Sequence, residues 1–143
     1  MAPEHVLIPL DGSPLADQAL HHALETYDCQ VTVLNVVTPI GSGMSEGGVR
    51  ERRDERVTEA EKRAEELVEA AYEEAAEYGQ DVETVIETGD PADVIVAYVD
   101  ETDVDHVVMG GHGGENDGLV ARLLGTVATK VVSEAPVTVT VVR

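Results

Sequence analysis

The chain has 143 residues, a length that suits one domain burying roughly 70% of the surface its unfolded form exposes. Its 29 acidic residues against 9 basic ones give a formal net charge of −20, which argues against nucleic acid and anionic membranes as partners and opposes compaction unless salt screens it, so a salt-loving cytoplasm is expected. The lone Cys29 has no partner for an internal disulfide, the amino terminus is not signal-like, and no apolar run approaches the roughly 18 residues of a membrane span, which point to a reducing, cytoplasmic setting.

The segment His5 to Leu10 is apolar and ends in the turn-prone Asp11-Gly12-Ser13-Pro14, after which Leu15, Ala19, His22 and Ala23 recur at helical spacing. Val31 to Val37 reads as a second buried strand rich in β-branched residues, followed by a long loop from Pro39 to Gly48. From about Val49 to Tyr78, Val57, Ala60, Ala64, Leu67, Ala71, Ala75 and Tyr78 step by three or four, the pattern of a long amphipathic helix that Gly79 stops. Val82 to Glu87 alternates apolar with acidic, as an exposed or edge strand does, and leads through Gly89-Asp90-Pro91 into a helix capped by Asp90. His106 to Met109 is a further buried strand ending in Gly110-Gly111-His112-Gly113-Gly114. Leu119 to Glu134 returns to helical spacing, and Val137 to Val142 closes the chain as a valine and threonine strand. Strands alternating with helices predict one α/β domain over residues 1–143, a parallel sheet covered by helices on both faces.

Ligands of such sheets bind beyond the carboxyl ends of the strands where strand order reverses. Two loops fit: Pro9 to Ser13, and the glycine loop after the fourth strand. Glycine admits positive φ and close backbone approach, so successive N–H groups in that loop can converge on an anion. Thr126 is expected as a helix cap, with the free N–H groups behind it forming a phosphate site. There is no G-x-x-x-x-G-K-[ST] and no proper G-x-G-x-x-G between strand and helix, which disfavours a P-loop enzyme or a dinucleotide dehydrogenase.

His5-Val6-Leu7-Ile8-Pro9-Leu10-Asp11-Gly12-Ser13 and Val107-Val108-Met109-Gly110-Gly111-His112-Gly113 resemble the opening and the glycine loop of the universal stress protein family. The likeness continues through Leu123-Leu124-Gly125-Thr126-Val127-Ala128 to Ala135-Pro136-Val137-Thr138-Val139-Thr140-Val141-Val142. The resemblance implies a doubly wound five-stranded parallel sheet in the order 3-2-1-4-5, a homodimer through the fifth strand, and in one subclass an ATP site marked G-x2-G-x9-G-[S/T]. Here eleven residues separate Gly113 from Gly125; the two extra ones, around Glu115-Asn116-Asp117, cost well under about 1 kcal/mol in loop closure. It further implies Asp11 and the backbone of Val36 as adenine contacts, Gly110 near the ribose, and Gly113, Gly125, Thr126 and Val127 around the phosphates of ATP, with Mg2+ as an optional companion. With no Phe or Trp in the chain and all four tyrosines on predicted helices, Pro9, Val36 and Val37 are the expected walls of the adenine pocket.

Arg122 and Lys130 are expected nearest the phosphates. Six of the nine basic residues fall between Arg50 and Arg63, where pairing with interleaved carboxylates is favoured over a swing onto phosphate. His112 reads as structural or solvated, and adjacent His21 and His22 point different ways on a helix. No metal cluster, nucleophile constellation or general base is evident, so fast hydrolysis is not expected. The reading is therefore a stress-response regulator or switch holding ATP or a related adenine nucleotide. The alternatives are a non-nucleotide dimeric interaction module and, more weakly, an adenylating or phosphoryl-transfer enzyme on the same sheet.

Overall fold

Three apolar runs become the inner strands of a five-stranded sheet. A computed structural model describes residues 2–39, 49–111 and 124–143, with side chains from residue 58 onward in the long second helix. In chain order the elements are β1 (His5–Pro9), α1 (Pro14–Thr26), β2 (Gln30–Val37), α2 (Val49–Glu77), β3 (Glu83–Thr88), α3 (Pro91–Glu101), β4 (His106–Gly110), α4 (Thr126–Glu134) and β5 (Thr138–Val142). The sheet order is β3-β2-β1-β4-β5 and every pairing is parallel, with Val6 opposite Val31, Leu34 opposite Val85 and Met109 opposite Val141. This is a doubly wound parallel α/β sheet, as expected.

Side chains alternate across it into two cores. Val6, Ile8, Val31, Val33 and Val108 face α1 and α2; Leu7, Leu34, Val107 and Met109 face α3 and α4. Strands buried on both faces need apolar residues at nearly every position, which is why β1, β2 and β4 read as continuous runs. Each fully buried Leu, Ile or Val contributes about 1.5–3 kcal/mol. The edge strand β3 is mostly exposed, Val85 excepted, which explains its alternation with glutamate. Among the described residues no helix is long and apolar enough to cross a membrane.

Three sequence expectations shift. His22 is exposed; α1 buries Ala16, Ala19, Leu20, Ala23 and Leu24 instead. In α2, Val68 joins Ala64, Ala71 and Ala75 in the core, whereas Tyr78 lies beyond the helix end and is 37% exposed. Tyr27 likewise stands after α1, as its C-cap. Gly79, at φ 74°, turns the chain off α2 as foreseen. The loop Pro39 to Gly48 and the start of the expected helix at Leu119 fall on residues outside the described ones, apart from Pro39 at the loop's edge.

At the amino ends of the strands, polar groups close on one another. The buried His5 ring donates from Nδ1 to Asp103 Oδ1 at 2.6 Å, and its Nε2 lies 2.7 Å from the fully buried Thr32 hydroxyl. Asp105 accepts from the backbone N–H groups of Glu4 and His5. His106 Nε2 meets Thr140 Oγ1 at 2.7 Å while its ring packs on Tyr27. The His5 imidazole holds the Asp103 carboxyl below its usual range. Burial pushes the His106 imidazole down, and His22 adds to this against the opposing charge of Asp105.

Candidate functional site

Between β1 and β4 the strand order reverses, and the chain leaves the two strands toward opposite faces, opening a crevice. It holds about 490 Å3, inside the roughly 300–1,000 Å3 of small-molecule sites. Leu34, Ile95 and Met109 form its apolar floor, and Pro91 at the start of α3 forms one wall. Pro9, Asp11, Val36, Gly110, Gly125, Thr126 and Val127 all line it. Gly113 lies outside the described residues, as do His112 and Arg122. Val37 is not part of the lining.

The loop after β1 is tightly held. Leu10 N–H donates to the Leu34 carbonyl at 2.9 Å, and the buried Asn35 carboxamide donates to the Leu10 carbonyl at 2.7 Å. Gly12 adopts φ 84°, a left-handed turn that suits glycine. Asp11 Oδ1 accepts from Ser13 N–H at 2.9 Å, and Ser13 caps α1 by accepting from Ala16 N–H at 3.3 Å. The second Asp11 oxygen takes no bond among the described residues.

Backbone groups of a strand alternate sides. Leu34 turns its carbonyl toward β1, and Val37 turns its own toward β3, where Gly89 N–H donates at 3.0 Å. Val36 shares the parity of Leu34, but the β1–β2 register ends at the pair Pro9 and Leu34. Its N–H and C=O therefore face the crevice with no strand partner among the described residues.

The opposite wall is the start of α4. Its N-cap is Gly125, at φ −65° and ψ 164°, with no side-chain cap; Thr126, expected as the cap, is instead the first helical residue. Thr129 is the first amide to bond the Gly125 carbonyl, so the N–H groups of Thr126, Val127 and Ala128 have no partner among the described residues and carry the positive end of the helix dipole. In α1 and α3 the same place is closed by Ser13 and Asp90.

Two further expectations are revised. Gly110 and Gly111 do not use positive φ. A Cβ on Gly110 would stand 2.7 Å from Leu15 C and 2.8 Å from Ala16 N, and one on Gly111 would strike Val141 Cγ1. These glycines let β4 approach α1 and β5. Lys130 does not reach the crevice: its Nζ donates to Asp93 Oδ1 at 2.6 Å, and that carboxylate raises its pKa. Among the described lining residues there is no Lys, Arg or His, so the donors these residues offer the crevice are backbone amides and hydroxyls.

Away from the crevice, His21 Nε2 pairs with Glu74 at 2.6 Å and its Nδ1 meets the Tyr78 hydroxyl, clamping α1 to α2. Among the described residues no three His, Cys, Asp or Glu side chains are placed to hold a metal ion. The side chains of Arg50, Arg52 and Arg53 lie outside those described.

Fold and crevice together define a doubly wound α/β protein with a ligand-sized opening at its switch point. The model of the Universal stress protein family matches residues 3–143, and the chain belongs to that family. A universal stress protein of Methanocaldococcus jannaschii is 32% identical over 96% of this chain and 81% of its own length. The universal stress protein UspA from Lactobacillus plantarum has the same fold, with a TM-score of 0.85 at 24% identity over 100% of this chain and 99% of that one. So does a family protein from Arabidopsis thaliana solved with AMP bound, with a TM-score of 0.68 at 23% identity over 98% of this chain and 91% of that one.

Asn35 escaped the sequence reading. Its signal was a single carboxamide inside Val31-Thr32-Val33-Leu34-Asn35-Val36-Val37, where a buried strand asks for an apolar residue.

Proposed function

We propose that this universal stress protein is a stress-response regulator that holds ATP or a related adenine nucleotide in the switch-point crevice. The observation that carries the reading is the pairing of two open backbone sites across one cleft: the Val36 N–H and C=O on one wall, the uncapped amides of α4 on the other. The first offers one donor and one acceptor, the pattern of adenine N1 and its N6 amine. The second offers converging donors to a phosphate. The free oxygen of Asp11 suits an amine or ribose hydroxyl, and Gly110 lies between, beside the sugar. AMP in the Arabidopsis relative supports the ligand class. In this reading the nucleotide acts by occupancy, without fast hydrolysis, and Mg2+ would come with the triphosphate.

A second reading, an interaction module working through β5, is favoured by one observation. β5 is an edge strand whose Val139 and Val141 are half-buried and uncharged, whereas the other edge carries glutamates. The same edge suits a homodimer, and both readings place the protein in a saline cytoplasm.

Calorimetric titration with AMP and Mg-ATP in molar salt, on the wild type and on Gly125→Asp, tests the choice. Micromolar affinity, about −8 kcal/mol, lost in the variant supports the nucleotide reading, because the new carboxylate caps α4 and repels phosphate. No binding to the wild type leaves the interaction module.

A further inference from the structure

We infer that Asn35 is a positioning residue that ends the β1–β2 ladder and so frees the Val36 N–H to read a base with adenine's hydrogen-bonding edge. The inference rests on the nucleotide reading above and deepens it by assigning the side chain that makes base recognition available.

A parallel ladder is regular: when residue 10 of β1 donates to the carbonyl of residue 34, the next rung has residue 36 donating to the carbonyl of residue 10. The first of these bonds is present, Leu10 N–H to Leu34 C=O at 2.9 Å. The second is absent, because the Leu10 carbonyl is taken at 2.7 Å by Asn35 Nδ2. The side chain of residue 35 substitutes for the backbone donor of residue 36.

Asn35 is only 6% exposed and stands in line with Val31 and Val33, at 1% and 0%. A buried carboxamide among aliphatic neighbours costs free energy unless it is bonded, and for packing alone an aliphatic residue would serve. What an aliphatic residue cannot do is occupy the Leu10 carbonyl. With that carbonyl filled, Val36 N–H is left as a donor on the cleft wall beside its own carbonyl. The Leu10 anchor also fixes the peptide just before Asp11, whose Oδ1 is fixed on the far side by Ser13 N–H. One side chain thereby sets both the base edge and the carboxylate at the mouth.

The discriminating probe pair is AMP and inosine monophosphate. Adenine N1 is an acceptor and matches Val36 N–H; hypoxanthine N1 carries a hydrogen and opposes it. Calorimetry on the wild type is expected to favour AMP by at least about tenfold, the value of one well-made hydrogen bond. In Asn35→Leu the Leu10 carbonyl returns to Val36 N–H, and the preference falls by about tenfold, the share of the N1 bond, to what the Val36 carbonyl alone draws from the N6 amine against O6, with Asn35→Ser in between. A merely structural role weakens both ligands together and leaves the ratio unchanged, and that result overturns the inference. Binding of neither ligand by the wild type sinks the nucleotide reading and this inference with it; wild-type preference retained in a folded variant sinks this inference alone. Amide exchange of the unsubstituted chain gives the same test if the variants do not fold. The Val36 amide should exchange freely without ligand and become protected with AMP but not with inosine monophosphate; protection in the free protein overturns the assignment.

Discussion

The two ends of the sheet use polar groups in opposite ways. At the amino ends, His5, Asp103, Thr32, Asp105, His106 and Thr140 are bonded to one another or to backbone. At the carboxyl ends, the Val36 backbone pair, three amides of α4 and one oxygen of Asp11 stop short of any partner among the described residues. Polar groups closed inside the protein hold the fold, whereas those left open beside an apolar floor are available to a ligand. Substitutions at the first end should cost stability and spare binding; at the second they should cost binding and spare stability.

The largest expected effect breaks this division at an exception. Gly110 lines the crevice, yet its missing Cβ is filled by the backbone of α1, which cannot yield as a side chain could. Gly110→Ala should lose about 3 kcal/mol of stability, measured by guanidinium unfolding in molar salt; a loss below about 1 kcal/mol would show that α1 moves aside. Next, His5→Leu removes the 2.7 Å partner of the buried Thr32 hydroxyl, leaving it Glu83 Oε2 at 3.4 Å and the Tyr98 hydroxyl, and should cost about 1–2 kcal/mol with AMP affinity unchanged. A drop in affinity there would mean that the two ends are coupled.

Gly125→Asp should do the reverse. A side-chain cap on α4 in place of glycine adds about 0.3 kcal/mol of stability, seen as a slightly higher melting temperature, while AMP affinity falls at least about tenfold. Loss of both would show that Gly125 is needed for the backbone and not for openness.

The smallest effect is in pH. Because the folded His106 imidazole titrates below its ordinary value of 6.5, the unfolded chain binds the proton more readily. Its contribution is complete above about pH 6.5 and is lost as pH falls below that value. Stability of the wild type relative to His106→Gln should therefore decline from pH 7 to 5; a flat difference would mean that Tyr27 and Thr140 accept the imidazolium without cost.

Much of this was legible in the residues. Gly79, Asp90 and the acidic alternation of Glu83 to Glu87 are local signals, because positive φ, a cap and a half-exposed face act within a few residues. Other features depended on what the chain meets at long range. Thr126 carries a good capping side chain, but the helix starts on it and not after it. Gly110 and Gly111 read as glycines chosen for freedom of φ until α1 and β5 are seen to press on them. Lys130 looked free for phosphate because Asp93, 37 positions away in sequence, is brought to it only by the packing of α3 on α4.

By itself the sequence determined the alternation of strands and helices, the cap of α3, the family and the end of the sheet where a ligand would sit, since periodicity and turn chemistry act between near neighbours. Only the tertiary structure decided which backbone groups stay unpaired. That depends on where one strand's register stops against the next, and here on a single carboxamide, Asn35, reaching across to Leu10 in place of the next rung.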